Sequence, residues 1–198
     1  NGRVILPLLV TVDKLMSQGC FDDLLEKEDN TFAKELGLRI RREATRCSDV
    51  KRLMACVPVA LNILHCVDVN TNSTTMLFLM RLLAYRFPRI RTHTAEQLYI
   101  KLIEDSSVVR APVSLDDATD LLSQTNWNGH LDPPGNIREM RNKVAELLGV
   151  ALSDNDRNGP VVKQVVNMLQ TQLYKTVVKQ LYTICTQIVK QIVKQVVT

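Results

Sequence analysis

The stretch from Phe87 to Tyr99 most constrains the fold, because a proline is followed there by a helical recurrence of apolar and small residues. Pro88 suits the first turn of a helix, where its missing N–H costs no hydrogen bond. Steps of three and four residues then place five side chains on one face: Ile90, Thr94, Ala95, Leu98 and Tyr99. The small members of this set allow another helix to approach closely. The stretch therefore predicts a packed helix over residues 88–104.

The remaining apolar patterns predict further helices joined by short turns. Ser48-Asp49 and Ser114 cap helix starts, and Gly19 and Gly149 follow helix ends. Asn70-Thr-Asn-Ser73 is interpreted as a turn and N-cap. The predicted helices cover residues 3–17, 31–46, 49–67, 74–85, 88–104, 115–125 and 137–148, with a short helical turn around residues 21–25. This pattern predicts an all-α, HEAT/armadillo-like α-solenoid segment of antiparallel helix pairs, a class of scaffold that binds other proteins.

The chain divides by composition into three parts. Residues 1–152 form the predicted HEAT-like domain, residues 153–160 a polar linker, and residues 161–198 a basic tail. The first residue is Asn and a helix begins almost at once, so we expect a piece of a longer protein. The tail repeats Val-Val-Lys-Gln and Ile-Val-Lys-Gln, which favours a long amphipathic helix, with a β-rich alternative because so many residues are β-branched. We rank packing or partner binding by this tail above binding to an anionic membrane.

The net charge of +4 comes from the tail alone. Five of the 25 Lys and Arg residues, and none of the 21 Asp and Glu residues, lie in residues 161–198. Residues 1–160 therefore carry 20 basic and 21 acidic side chains. A body without a broad positive field argues against nucleic-acid binding.

No arrangement of residues predicts catalysis, a cofactor or a metal. His65, His93 and His130 lie on different predicted elements, and the five cysteines form no C-x-x-C pair. Asp116 and Asp117 begin a predicted helix, where acidic side chains interact favourably with the helix dipole. A phosphate-binding glycine loop is also missing from the sequence. We therefore predict a protein that is not an enzyme and has no cofactor-binding, catalytic or metal-binding residues.

Polar and aromatic residues in predicted turns are the candidates for partner binding: Arg86, Arg89, Trp127, Asp22 and Asp23. The two arginines would suit an acidic partner. Arg91 is more consistent with a ladder arginine that bonds carboxylates or carbonyls of an adjacent repeat. For Trp127, a core role is favoured over an interface anchor. Asp22 and Asp23 belong to the longest irregular segment of the body, where partner contacts are common.

Several short pieces, in order, resemble the C-terminal region of the tubulin-folding cofactor D family of tubulin-specific chaperones. They are Arg3-Val-Ile-Leu-Pro-Leu-Leu9 with Gly19-Cys-Phe21, Phe87-Pro-Arg-Ile-Arg91 with Ala95-Glu-Gln-Leu-Tyr99, Ser123-Gln-Thr-Asn-Trp127, Ile137-Arg-Glu-Met-Arg-Asn142 and Leu147-Leu-Gly-Val150. The resemblance extends over residues 3–152 and does not include the tail.

This resemblance implies a chaperone scaffold that binds β-tubulin. Partners would be tubulin cofactors C and E and an ADP-ribosylation-factor-like small GTPase, which together assemble and dissociate the αβ-tubulin heterodimer and stimulate GTP hydrolysis by tubulin. The implied location is the cytoplasm, with association to the cytoskeleton and centrosome. The alternative function is a general HEAT-repeat adaptor whose basic tail tethers it to a partner or a membrane surface.

Overall fold

The computed structural model describes residues 2–27, 31–110, 112–131 and 136–158. Contacts divide the chain into two units, residues 1–157 and 158–198. The predicted tail helix and its β-rich alternative fall in residues 161–198, outside the described residues.

The described part of the chain is helical and contains no strand. Its helices are α1 (Gly2–Ser17), α2 (Asp22–Leu25), α3 (Thr31–Arg46), α4 (Val50–Ile63), α5 (Val69–Leu83), α6 (Pro88–Glu104), α7 (Leu115–Gln124), α8 (Ile137–Leu147) and α9 (Asp154–Asn158), with a 3-10 turn at Ser106–Val108. The predicted all-α class is confirmed.

The helices of the first unit stack in two layers. Helices α1, α4, α6 and α7 pack side by side in that order, and α3, α5 and α8 form the second layer. The hairpins α3–α4, α5–α6 and α7–α8 each pair one helix from each layer. This arrangement is the α-solenoid architecture that the sequence predicts.

The core lies between the two layers. Helix α4 contacts α1, α3, α5 and α6 and is buried on several sides. The largest fully buried apolar side chains include Leu53 and Ile63 of α4, Leu79, Met80 and Leu83 of α5, and Ile90, Leu98 and Leu102 of α6. On α6, Ile90, Thr94, Ala95 and Leu98 are buried as predicted. Tyr99 is 36% exposed, so its assignment to the same buried face is wrong.

Local signals set most of the helix ends. Asp49 accepts a hydrogen bond from the backbone N–H of Lys51 at the start of α4, and Ser114 accepts one from that of Asp117 at the start of α7. Gly19 and Gly149 adopt φ values of 75° and 69° after α1 and α8. These positive φ values belong to helix-ending turns and favour glycine, so both predicted stops are confirmed.

Two predicted boundaries are wrong. Helix α4 ends at Ile63 rather than near residue 67, and α5 begins at Val69, so residues 70–73 are helical rather than a turn. Asp68 is the actual N-cap, because its carboxylate accepts hydrogen bonds from the N–H groups of Asn70 and Thr71. Asn72 instead donates across to the carbonyls of Leu64 and Val108, a contact between elements that no local pattern reveals.

The predicted polar linker contains the short helix α9. Ser153 precedes this helix, and its hydroxyl accepts a hydrogen bond from the N–H of Asp156 at 3.3 Å. Asp156 also contacts Arg81 of α5, with Oδ1 at 2.7 Å from Nε. The linker sequence therefore forms a capped turn that packs against the body through Arg81.

Candidate protein-binding surface

Three interhelical turns come together at one end of the first unit. Residues 47–49 join α3 to α4, residues 84–87 join α5 to α6, and residues 125–131 follow α7. The hydroxyl of Tyr85 lies 3.5 Å from the carbonyl oxygen of Cys47, and Thr92 donates to the Asn128 side chain at 3.1 Å. We call the exposed side of residues 47–49, 84–89 and 125–131 the turn surface.

Arg91 holds this surface together from beneath. Its side chain is 2% exposed and donates to the carbonyls of Trp127 at 2.8 Å, Tyr85 at 2.8 Å and Gly129 at 2.6 Å. Burial lowers the pKa of its guanidinium group from the ordinary value. Arg91 therefore bonds carbonyls of an adjacent turn, and its predicted ladder role is confirmed.

Trp127 lies in the core. Its side chain is 4% exposed, and its indole N–H donates to the carbonyl of Leu122 at 2.8 Å. Its backbone carbonyl accepts one of the Arg91 hydrogen bonds. An interface anchor must be reachable by a partner, so this position favours the core role over the anchor role.

Arg86 and Arg89 lie exposed on the turn surface. The guanidinium carbon of Arg86 is 4.5 Å from the centroid of the Phe87 ring, within range of a cation–π interaction. Arg89 extends from the first turn of α6, two residues before buried Arg91. Both cations are therefore carried on a turn whose backbone is held by buried hydrogen bonds, and they are available to a partner.

Asp22 and Asp23 lie at the opposite ends of the helices. They are exposed in α2, and the carbonyl of Leu25 in that helix accepts a hydrogen bond from the N–H of Val67 in the α4–α5 turn. The same end contains the turn after α6, because Arg110 donates to the carbonyls of Cys66 and Val67. The structure therefore does not bring the acidic candidates together with Arg86 and Arg89.

His65 is half-buried at this opposite end. Its Nδ1 lies 3.3 Å from Oδ2 of Asp105, which favours the imidazolium, yet burial and nearby Lys101 lower the pKa of His65. Desolvation outweighs the carboxylate because it acts on a ring that is only partly accessible. Asp105 already accepts hydrogen bonds from Ser107, and these lower the pKa of its carboxyl.

The buried thiols are poor nucleophiles. Cys56 is fully buried, and burial raises the pKa of its thiol to about 12. Burial also raises the pKa of Cys66. A thiol must be ionised to attack a substrate or bind a metal, so these groups pack as small apolar side chains. In the described residues no three His, Cys, Asp or Glu side chains are grouped closely enough to hold a metal ion.

Some contacts of the structure had no sequence signal strong enough to predict them. Arg110 joins two segments through carbonyls, Asn62 of α4 donates to Asp13 of α1 at 2.9 Å, and Arg81 pairs with Asp156 over 75 residues. Arg141 belongs to the quoted segment of residues 137–142, but nothing in the pattern marked it as buried. Long-range polar partners depend on how the helices stack, which periodicity does not encode.

Comparison with known families agrees with the first of the ordered motifs. Residues 1–52 match the family model described as tubulin folding cofactor D C terminal. The predicted resemblance is confirmed there. This segment includes α1, α2 and α3 and the first pieces that carried the resemblance, residues 3–9 and 19–21. Tubulin cofactor D is a chaperone family, and no solved structure matches the chain. None of the described helices has the length and hydropathy to cross a lipid bilayer.

Proposed function

We propose that this chain is a protein-binding scaffold, the C-terminal part of a cofactor D-type tubulin chaperone, and that it binds β-tubulin. The family match over residues 1–52 is the single observation that carries the proposal. The two-layer stack supports it, because such stacks present extended, rigid surfaces to other proteins. The chain would act by binding and positioning its partners, without chemistry of its own.

The partners follow from the same family. The chain would act with tubulin cofactors C and E and an ADP-ribosylation-factor-like small GTPase to assemble and dissociate the αβ-tubulin heterodimer. Tubulin would supply the nucleotide, and hydrolysis of GTP would be stimulated only in the assembled complex. The working location would be the cytoplasm, with association to the cytoskeleton and centrosome.

Arg86 and Arg89 are the proposed contacts with an acidic partner surface. Both are exposed, and both extend from a turn whose backbone Arg91 holds through carbonyls of two segments. Because the backbone of this turn is already held, binding costs mainly the side-chain freedom of the two arginines, and their charge favours rapid encounter with an acidic surface. Asp22 and Asp23 would contact a different partner, or a different part of one, because they lie at the opposite helix ends.

A binding experiment with purified αβ-tubulin tests this function. The full chain is immobilised, and tubulin binding is measured for the unaltered chain, for Arg86→Gln with Arg89→Gln, and for Arg3→Gln with Arg39→Gln. The control pair removes the same charge from exposed arginines on α1 and α3. We expect the turn-surface pair to weaken binding about tenfold, and the control pair to change it less than about twofold.

Two results would contradict the proposal. Failure of the unaltered chain to bind tubulin at tens of micromolar would remove the β-tubulin function. Equal weakening by both pairs would show that total charge, rather than the turn surface, governs binding. Phosphate release by tubulin with cofactors C and E, measured with and without the chain, tests the stimulation of GTP hydrolysis separately.

A further inference from the structure

Three arginines form a row across the second layer of helices. Arg41 lies on α3, Arg81 on α5 and Arg141 on α8, one from each helix of that layer. Arg81 and Arg141 both donate hydrogen bonds to Asp156, and the guanidinium of Arg41 lies beside α5, near Gly37 and Thr75. Burial, and to a smaller extent the charge of Arg81, lowers the pKa of Arg41 and of Arg141. We call these three side chains the arginine row.

One carboxylate lies against the row. Asp156 of α9 accepts two hydrogen bonds from Arg81, with Oδ1 at 2.7 Å from Nε and Oδ2 at 3.2 Å from Nη2. Its side chain is only 5% exposed. The backbone carbonyl of Asp156 accepts a hydrogen bond from Arg141. The bidentate pairing of Arg81 with Asp156 is the geometry by which arginine recognises a carboxylate.

The row has more positive charge than this single carboxylate neutralises. Three of the four acidic residues on α3 and α8 pair elsewhere: Glu43 with Arg52, Glu35 with Arg39 at 3.9 Å, and Glu139 with Lys143 at 2.9 Å. The fourth, Glu146 of α8, is exposed. Helix α5 contains no acidic residue. The guanidinium group of Arg41 has no hydrogen-bond acceptor and no ion-pair partner among the described residues.

The buried N–H donors of Arg141 also lack good hydrogen-bond acceptors. Arg141 is 2% exposed, and its Nε has no hydrogen-bond partner within the described ranges. Its Nη1 reaches the carbonyl of Met80 only at 3.5 Å. Such groups are costly to leave unmatched, so an added acceptor is favourable here.

Gly37 keeps space for the outermost arginine of the row. A Cβ placed at Gly37 would lie 3.2 Å from Nη1 of Arg41 and 3.7 Å from the hydroxyl of Thr75. The guanidinium of Arg41 therefore lies in the narrow contact between α3 and α5. It remains partly exposed, as does Arg81, so a ligand can reach both.

We propose that the arginine row binds carboxylates of an acidic peptide segment on another protein, and that Asp156 occupies the site as an internal carboxylate which the ligand displaces. A carboxylate is the ligand class because one already fills the site with two hydrogen bonds. Residues 1–160 carry 20 basic and 21 acidic side chains, so a long polyanion such as a nucleic acid gains little from the body as a whole. The inference goes beyond the proposed tubulin function and uses different residues.

Displacement of α9 requires little structure to be lost. The helix has five residues, fewer than an isolated helix needs for stability in water. Its ordering depends on Arg81, Arg141 and the Ser153 hydroxyl, which donates to Oδ2 of Asp156 at 2.6 Å. An incoming peptide with several carboxylates replaces the first two of these contacts and pairs with Arg41 as well.

The test measures binding of a fluorescein-labelled peptide of eight glutamates to the full chain by fluorescence anisotropy. Asp156→Asn removes the charge of the internal competitor and is expected to tighten binding about fivefold, a gain the size of one ordinary net hydrogen bond. Asp154→Asn makes the same charge change at an exposed site two residues away on α9, and is expected to leave binding within about twofold.

A second pair of variants keeps the test decisive if Asp156→Asn lowers folding stability. Arg41→Gln removes a member of the row and is expected to weaken binding about fivefold, whereas Arg39→Gln on the same helix is expected to have little effect. Circular dichroism checks the helix content of every variant. The lysines of residues 161–198 are common to all variants, so any contribution they make cancels in the comparison.

Three outcomes would overturn the inference. Equal affinities for Arg41→Gln and Arg39→Gln would show that the row does not contact the peptide. Equal gains in peptide affinity for Asp156→Asn and Asp154→Asn would show that the change comes from net charge. Tighter, Arg41-dependent binding of a single-stranded oligonucleotide of matched charge would make the row a phosphate site instead.

Discussion

Arg91 illustrates how much a single buried side chain contributes to this scaffold. It is positively charged and nearly inaccessible, yet its acceptors are neutral carbonyls of Tyr85, Trp127 and Gly129. Five fixed N–H donors let one guanidinium bond several carbonyls that no backbone group can reach. Arg91 consequently connects the turns at residues 84–87 and 125–131, next to the hydrogen bond between Thr92 and Asn128.

Replacing Arg91 with Met is expected to lower the free energy of unfolding by about 3 kcal/mol, because several carbonyls lose a charged donor in a buried site. Urea unfolding followed by circular dichroism measures the change. Arg89→Met, on the exposed face two residues away, is the control and is expected to cost less than about 0.5 kcal/mol. A similar cost for both variants would refute the role given to Arg91.

His65 is expected to make stability depend on pH. Its pKa is lowered in the folded state by burial and by Lys101, so the unfolded chain binds the proton at a higher pH than the folded chain does. Stability should therefore fall as pH drops below about 6.5, and the loss from this group is complete below the folded pKa. Thermal unfolding between about pH 8 and pH 5, a window around the ordinary histidine pKa, measures this loss of stability.

Two variants separate His65 from other titrating groups. His65→Gln should reduce the slope of stability against pH in this window. Asp105→Asn removes the carboxylate that opposes the shift, so the loss of stability should extend to lower pH. An unchanged slope in His65→Gln would mean that this histidine does not govern the pH response.

At the scale of whole elements, capping and stop signals determine where the helices begin and end. The bounds of α3 and α6 coincide with those predicted, because a proline or an N-terminal Thr at the start and a clear apolar period make the signal local. The boundary between α4 and α5 is different. Residues 64–75 contain several residues able to cap a helix, including Asp68, Asn70, Asn72 and Ser73, and sequence alone does not choose among them.

Asp68→Ala is expected to lower the free energy of unfolding by about 1–2 kcal/mol, since α5 loses an N-cap that serves two N–H groups. The hydrogen bond that the Thr71 hydroxyl donates to the Asp68 carboxylate at 2.5 Å is lost as well. Chemical denaturation measures the effect, and Asn70→Ala, in the segment for which the sequence predicts a turn, is the matched control. A larger cost at Asn70 would restore the turn interpretation.

At the scale of the whole first unit, the two layers share one core, so distant repeats are expected to unfold together. Leu53 in α4 is fully buried, and Trp127, the single tryptophan of the chain, reports on the loop after α7. Leu53→Ala is expected to cost about 3 kcal/mol. The transitions seen by tryptophan fluorescence and by circular dichroism should shift by the same amount.

Separate transitions for the two probes would show that the repeats unfold independently, as weakly coupled solenoid repeats do. Leu8→Ala is the control, because this leucine of α1 is 56% exposed and its removal leaves no buried cavity. The comparison therefore distinguishes a cooperative core from a chain of independent hairpins.

The sequence by itself determined the fold class: helices, their pairing through short turns, and a resemblance that the family match confirms over residues 1–52. These features depend on periodicity, caps and ordered motifs, which act over a few residues. Only the tertiary structure decided that Arg141 is buried, that Arg86 and Asp22 lie at opposite helix ends, and that Asp156 contacts Arg81. Polar contacts over such separations arise from the stacking of layers, which brings together residues that share no local pattern.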